Sequence, residues 1–372
     1  MKIGFDAKRI FFNNSGLGNY SRGAVNLLSE YFPENEYFLF SPKKESRVNF
    51  LVQPNMSVMY PEIFLHKKFP SLWRSYALSN DIVKNSIDIF HGLSNELPSD
   101  IKKSRARSVL TMHDIIFIHF PELYKPLDRY LYTKKYRKSC ENADRIIAIS
   151  EQTRNDLVNV WQIAPEKIDV VYQGCDPMFY EIADEENKNT VRKKYNLPGK
   201  FLLSVGTIEK RKNLLSAVKA IAEHKIDIDV VACGRHTPYA DKILEYAENK
   251  GIRNKLHFIH NLKFSDLPSI YQMSEGLVYA SFYEGFGIPI LEGMNSGVPI
   301  ITSRGGVFPE TGGDACIYID PHNIEEMASA INTILFDKKA VKELIDKGRN
   351  YSLKFRDKEV ASGLYSVYRK LI

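Results

Sequence analysis

Short apolar runs alternate with longer stretches of helical periodicity along the whole chain. In the first half the runs fall at 2–6, 37–41, 57–60, 88–92, 108–113 and 145–150. A second series falls at 201–206, 229–234, 255–259, 276–280, 299–302 and 315–319. The runs are continuously apolar, as in strands covered on both faces, and amphipathic stretches separate them. That pattern predicts parallel sheets wound with helices. Between the two series, after 170–174, lies the polar, acidic segment 181–189, the sharpest compositional break in the chain. It predicts a hinge and two α/β domains, 1–178 and 179–354, each a doubly wound Rossmann-like sheet. Ligands in such sheets gather at the carboxyl ends of strands, which predicts a cleft between two facing domains. The closing segment 356–371 places apolar residues at Val360, Leu364, Val367, Tyr368 and Leu371, a helical stripe that something must cover.

Composition narrows the class. The 372 residues are 44% hydrophobic and 26% charged, as in a globular protein, and no apolar run is long enough to span a bilayer. The start runs directly into a strand pattern without a leader-like segment, so a cytoplasmic location is expected. Cys140, Cys175, Cys233 and Cys316 have no metal-ligand or disulfide spacing. The net charge of +6 is modest, but it is locally concentrated. Lys125, Arg129, Lys134, Lys135, Arg137 and Lys138 share a predicted helix with Tyr124, Tyr130, Tyr132 and Tyr136, and the stretch 66–76 mixes bases with aromatics. Such surfaces are either solvated helix faces or contacts for anionic lipid headgroups. No nucleic-acid module is recognisable, so nucleic acid is not an expected partner.

The most informative segment is 281–302. Glu284 follows a buried strand, Gly285-Phe286-Gly287 allows a sharp turn and close approach to a ligand, and Pro289 marks the first turn of a helix. Amides around Phe286, Gly287 and Ile288 are then left at a helix N-terminus, where the dipole favours an anion. Seven residues separate Glu284 from Glu292, which places one carboxylate in the loop and the other in the helix. After the run 201–206, Gly206 precedes Thr207 and the cations Arg211 and Lys212. A guanidinium fork beside an ammonium can neutralise a diphosphate, and Asn213 is placed to cap the next helix. In the first half, the run 108–113 ends in His113-Asp114, a strand-end histidine able to bond a sugar hydroxyl, with Asp114 placed to orient its ring. Gly16 and Gly18 form a short glycine loop after the first strand.

These segments resemble the retaining glycosyltransferases of family 4. The 284–292 stretch is similar to that family's donor signature, 206–213 to its arginine-lysine-asparagine element, and 113–122 to a stretch of its mannosyltransferases. Smaller matches at 88–92, 148–151, 173–177 and 308–314 fall in the family's order. The resemblance implies the GT-B fold, with an acceptor-side domain 1–178 and a nucleotide-sugar donor domain 179–354. It also implies that the last helix, 355–372, crosses over to the first domain. Glu284 would sit at the donor sugar and Glu292 at the nucleotide ribose. Arg211 and Lys212 would meet the diphosphate, together with the loop containing Gly16 and Gly18. His113 is the active-site residue implied for the first domain, and with Glu284 and Lys212 completes the catalytic set. Many relatives carry an arginine where Thr207 stands. The expected reaction is metal-independent, cofactor-free transfer with retention, first from GDP-mannose, to a glycan or lipid-diphosphate acceptor at the inner face of the cell membrane.

Other readings of the residues make different predictions. A dehydrogenase would need a third glycine after Gly18 and an acidic end to the second strand, and neither is present. An epimerase or hydrolase of the same fold would act on the donor without an acceptor, and a binding subunit would hold it without turnover.

Overall fold

The computed structural model describes residues 1–372 and divides into two compact units, 1–173 with 355–372, and 174–354. The first contains a seven-stranded, all-parallel sheet of β1 (Lys2–Asp6), β2 (Glu36–Phe40), β3 (Met56–Met59), β4 (Ile89–Gly92), β5 (Arg107–Met112), β6 (Arg145–Ala148) and β7 (Ile168–Val170). Its spatial order is β3-β2-β1-β4-β5-β6-β7. The second contains β8 (Phe201–Val205), β9 (Asp229–Cys233), β10 (Leu256–Ile259), β11 (Gly276–Tyr279), β12 (Ile300–Ser303) and β13 (Ile317–Ile319), in the order β10-β9-β8-β11-β12-β13. The strand order reverses between β1 and β4 and again between β8 and β11, which makes each of these gaps a topological switch point.

The apolar runs became strands with boundaries shifted by one or two residues. β7 is the addition: it is three residues long and contains Asp169, whose carboxylate meets Arg145 on β6. That charge interrupts the apolar run by which a strand is recognised.

The division between units falls at Gln173/Gly174, five residues before the expected boundary at 178/179. The acidic stretch is a helix start rather than a linker: Asp184 accepts from the Asn187 amide, and Glu185 and Glu186 occupy the first turn of helix Glu185–Tyr195. Residues before it are anchored in the second unit, where buried Phe179 packs edge-on to Tyr271 and Gln272 bonds both the Glu181 carbonyl and the Ala183 amide.

The closing helix, Asp357–Arg369, belongs to the first unit. Its stripe of Val360, Leu364, Val367 and Tyr368 joins Ile3, Phe5, Val25 and Leu28 in one core cluster, and Tyr365 stacks on Phe32. Leu364 is fully buried. Leu364→Ala is expected to destabilise the protein by about 2–5 kcal/mol, measured by denaturant unfolding. A cost under about 0.5 kcal/mol would mean that the helix is not part of this core.

Candidate functional site

Both loops at the switch point of the second sheet carry charge. After β8, Gly206 (φ 126°) turns the chain, and a Cβ on the adjoining Gly234 would lie 1.8 Å from the Gly206 carbonyl oxygen. Only glycine allows two strand ends to approach this closely. The loop then rises through the single turn Lys210–Lys212. After β11 comes Glu284, and the two loops meet: the Glu284 carboxylate lies 2.8 Å from the Arg211 guanidinium and 2.7 Å from the Lys212 ammonium. Arg211 also binds Glu209 and donates to the Tyr283 carbonyl, while Lys212 donates to the Tyr279 hydroxyl at 2.9 Å.

Burial alone would raise the Glu284 pKa, but Lys212 and Arg211 outweigh it and hold the acid down at about 2. Burial likewise opposes the Arg211 charge, and Glu284 and Glu209 raise its pKa overall. The cluster is thus an ionised, desolvated group of two cations and one shared carboxylate. The sequence reading treated Glu284 and the cations as separate contacts, but here they are one electrostatic unit. Thr207 sits in the same turn and is half-buried.

Asn213 does not cap the following helix. It adopts a left-handed conformation (φ 55°), and its amide bonds the carbonyls of Ala280 and Pro321. It therefore ties the β8 loop to the end of β11, and that position serves the site more directly than a cap would.

Gly287 (φ 103°) leads into helix Ile288–Asn295, with Pro289 in its first turn. The carbonyl of Phe286 accepts from buried Thr311, which fixes the turn. The Gly287 and Ile288 amides have no intrahelical acceptor at this end. Glu292 lies one turn in, buried, with its carboxyl group bonded by the Tyr271 hydroxyl at 2.7 Å. Burial raises its pKa to about 7, with nearby Asp176 adding to the effect and Tyr271 opposing it.

The unfolded chain loses this proton near the ordinary 4.5, whereas the folded chain keeps it until about 7. Its contribution to stability is complete below pH 4.5 and is lost as pH rises through 7. Glu292→Gln is expected to flatten thermal stability between pH 5 and 8 relative to the unmodified chain. Parallel curves for the two proteins would refute the buried, protonated acid.

In the first unit, Asn13 organises the glycine loop by accepting from the Ser15 and Gly18 amides. Gly18 is obligatory, since a Cβ there would lie 1.9 Å from the Asn13 carbonyl oxygen, whereas Gly16 has open space around its Cα. Helix Gly16–Tyr31 follows, and its Tyr20 ring stands edge-on to His113 with centroids 4.6 Å apart. His113 is buried just beyond β5, and burial lowers its pKa to about 4, so the ring is neutral. Its Nε2 is 3.0 Å from the Leu93 carbonyl oxygen, and its own carbonyl accepts from Thr153. The Leu93 carbonyl orients the ring, whereas the Asp114 carboxylate accepts from the Ile116 amide. Chain proximity suggested Asp114, but a two-residue turn captures that carboxylate locally.

Both basic-aromatic stretches leave apolar residues exposed, with Leu127, Tyr130 and Leu131 on the first of them. On helix Pro126–Asn142, Tyr132 and Tyr136 pack with Phe117 in the core. Helices Phe64–Lys68 and Pro70–Tyr76 leave Phe64, Leu65, Phe69 and Leu72 exposed beside Lys67 and Lys68. Pro70 and Arg74 on the second of these border a cavity of about 350 Å³ with Lys8, Lys43 and Arg47 among its other lining residues and Glu45 as its acidic member. Arg74 is held there by Asp6 and Glu96.

Sequence reasoning missed Tyr271, Tyr279, Thr311 and Tyr20. The first two are buried hydroxyls bonded to Glu292 and Lys212 and the third is bonded to the Phe286 carbonyl, and position in the sequence gives no hint of that adjacency.

Comparison with known proteins adds the family. Residues 187–351 match the family described as glycosyl transferases group 1, and residues 28–179 match glycosyltransferase family 4. The O-antigen chain mannosyltransferase B of Escherichia coli is 28% identical over 358 residues, 91% of each chain. The sucrose-phosphate synthase of Thermosynechococcus elongatus superposes with a TM-score of 0.78 at 18% identity, covering 100% of this chain and 99% of that one. The Anabaena protein HepE, solved with UDP and glucose, superposes at 0.75 and 16% identity over 100% of both chains. With a group 1 glycosyltransferase match over 187–351, a family 4 match over 28–179 and a relative aligned over 91% of its length, the chain is a family 4-like glycosyltransferase, a hexosyltransferase with the GT-B fold.

Proposed function

We propose that this chain transfers a sugar, first of all mannose from GDP-mannose, to a glycan or lipid-diphosphate-linked acceptor, with retention at the anomeric carbon, in assembly of a bacterial surface polysaccharide. The observation that carries the reading is the buried Glu284–Arg211–Lys212 cluster at the switch point of the second sheet. Departure of a nucleoside diphosphate concentrates negative charge, and fixed cations in a desolvated loop stabilise that charge without reorganising. The Gly287 and Ile288 amides add a helix N-terminus close by: a Cβ on Gly287 would be 3.6 Å from the Tyr279 ring whose hydroxyl Lys212 contacts.

In this reading Glu284 anchors the donor sugar while holding the cations, Glu292 takes the ribose hydroxyls, and neutral His113 meets a sugar hydroxyl. Phe286, Gly287 and Ile288 frame the phosphate site, Gly206 keeps the Lys212 side of the loop clear, and the loop at Gly16 and Gly18 faces phosphate and acceptor. Protein cations fill the role a divalent metal would otherwise take, so turnover is expected to survive EDTA. The mannosyl donor and the polysaccharide setting are supported by the O-antigen mannosyltransferase relative.

On the acceptor side, Lys8, Lys43 and Arg47 around the first unit's cavity suit a phosphate, and the exposed Phe64–Leu72 ridge suits the lipid of a membrane-borne acceptor. Peripheral attachment at the inner membrane face would follow. Co-sedimentation with anionic vesicles is expected to weaken on Lys67→Glu and Lys68→Glu, and an unmodified chain that does not co-sediment would argue against attachment.

A thermal-shift panel of nucleotide sugars tests the donor reading. GDP-mannose and GDP are expected to stabilise most, by about 2.7 kcal/mol at a hundredfold excess over Kd. A chain stabilised by no nucleotide sugar would not be this enzyme.

A further inference from the structure

A chain of buried hydroxyls and one histidine runs through the first unit from its last helix to its first long helix. The Tyr368 hydroxyl is 2.7 Å from His91 Nδ1, His91 Nε2 is 2.8 Å from Thr111 Oγ1, and Thr111 Oγ1 is 3.1 Å from the Tyr20 hydroxyl. Tyr368, His91 and Thr111 are all fully buried, so none can turn to water for a partner. Tyr20 is the one member that keeps partial exposure.

Hydrogen accounting gives this chain a direction. The buried Tyr368 hydroxyl has a single neighbour able to accept, so its proton goes to His91 Nδ1. A neutral histidine that accepts at Nδ1 must donate from Nε2, and Thr111 receives that bond. The Thr111 hydroxyl then has only the Tyr20 oxygen to donate to. Burial, which holds the His91 pKa down at about 3, keeps the ring in the neutral form this order requires. At the far end the Tyr20 proton is left without a protein acceptor. Beside it, His113 meets the Leu93 carbonyl oxygen through Nε2, so its Nε2–H donates and its Nδ1 lone pair faces no protein donor.

We propose that Tyr20 is a ligand-contacting donor which, with His113 Nδ1 as the matching acceptor, binds one hydroxyl group of the sugar substrate, and that Tyr368 is a positioning residue that sets the direction of the Tyr20 proton through His91 and Thr111. A sugar hydroxyl both accepts and donates, so it satisfies the pair, whereas a phosphate oxygen could not serve His113. The role given to the substrate rests on the transferase reading, but the order of protons does not.

Two measurements on the full chain test it. Neutron diffraction is expected to place deuterium on His91 Nε2, with the Tyr20 deuteron turned away from Thr111. Deuterium on His91 Nδ1 would reverse the chain and overturn the proposal. Release of GDP from GDP-mannose is then compared for Tyr20→Phe, Tyr368→Phe and the double variant. Tyr20→Phe is expected to lower kcat/KM about three- to tenfold, the effect of one hydrogen bond. Tyr368→Phe should have a smaller effect, and none on top of Tyr20→Phe, because it acts through that hydroxyl. Tyr20→Phe at the unmodified rate, or effects that multiply, would overturn it. An unmodified chain that turns over no nucleotide sugar is a failure of the transferase reading, and the deuterium positions register separately from it.

Discussion

Glu284→Gln is expected to lower turnover by at least a hundredfold, about 2.7 kcal/mol, while leaving nucleoside diphosphate affinity unchanged or tighter. The carboxylate neutralises Arg211 and Lys212 at 2.8 and 2.7 Å. Glutamine keeps the shape and removes the charge, so two largely buried cations face each other with only Glu209 as compensation. The ligand-free protein should therefore lose on the order of 3 kcal/mol, the scale for breaking a buried pair. A bound diphosphate restores the missing negative charge, so its stabilisation of the variant should exceed that of the parent. Calorimetric Kd values for GDP and turnover numbers measured together decide the case. Affinity falling in step with turnover would reduce Glu284 to a scaffold for the cations and remove its role at the sugar.

Lys212→Ala should be among the most damaging single changes at the site. It removes the ammonium that contacts both Glu284 and Tyr279 and leaves the carboxylate with Arg211 alone. A loss of about 2.7–4 kcal/mol in transition-state stabilisation corresponds to roughly 10²–10³ in kcat. Arg211→Ala tested alongside should do comparable harm, since Arg211 also bonds the Tyr283 carbonyl and so shapes the loop that carries Glu284. Both assays belong in EDTA, so that no added metal substitutes for the lost charge. Lys212→Ala within a factor of a few of the parent rate would end its assignment to the leaving group.

Strand positions, parallel pairing and the glycine turn at 285–287 could all be read from residue order, because each is a local consequence of burial on two faces or of missing side chains. The pairing of Glu284 with Arg211 and Lys212 could not, since more than 70 residues separate loops that become neighbours only when β8 and β11 pair. For the same reason the acidic stretch at 181–189 read as a hinge. Its hydrogen bonds to Gln272, with the neighbouring packing of Phe179 on Tyr271, show that it is anchored in the second unit.

By itself, the sequence determined that two parallel α/β units exist, that anion-binding amides and two cations lie at strand ends, and that the last helix has an apolar stripe needing cover. These properties depend on periodicity and on residue type within a few positions. Tertiary structure decided which carboxylate neutralises which cation, that Glu292 is buried on Tyr271 and shifted toward neutral pH, and that Tyr368 reaches His91 across 277 residues. Charge state and hydrogen-bond direction are set by neighbours in space and by the exclusion of water, and both arise only when the chain has closed on itself.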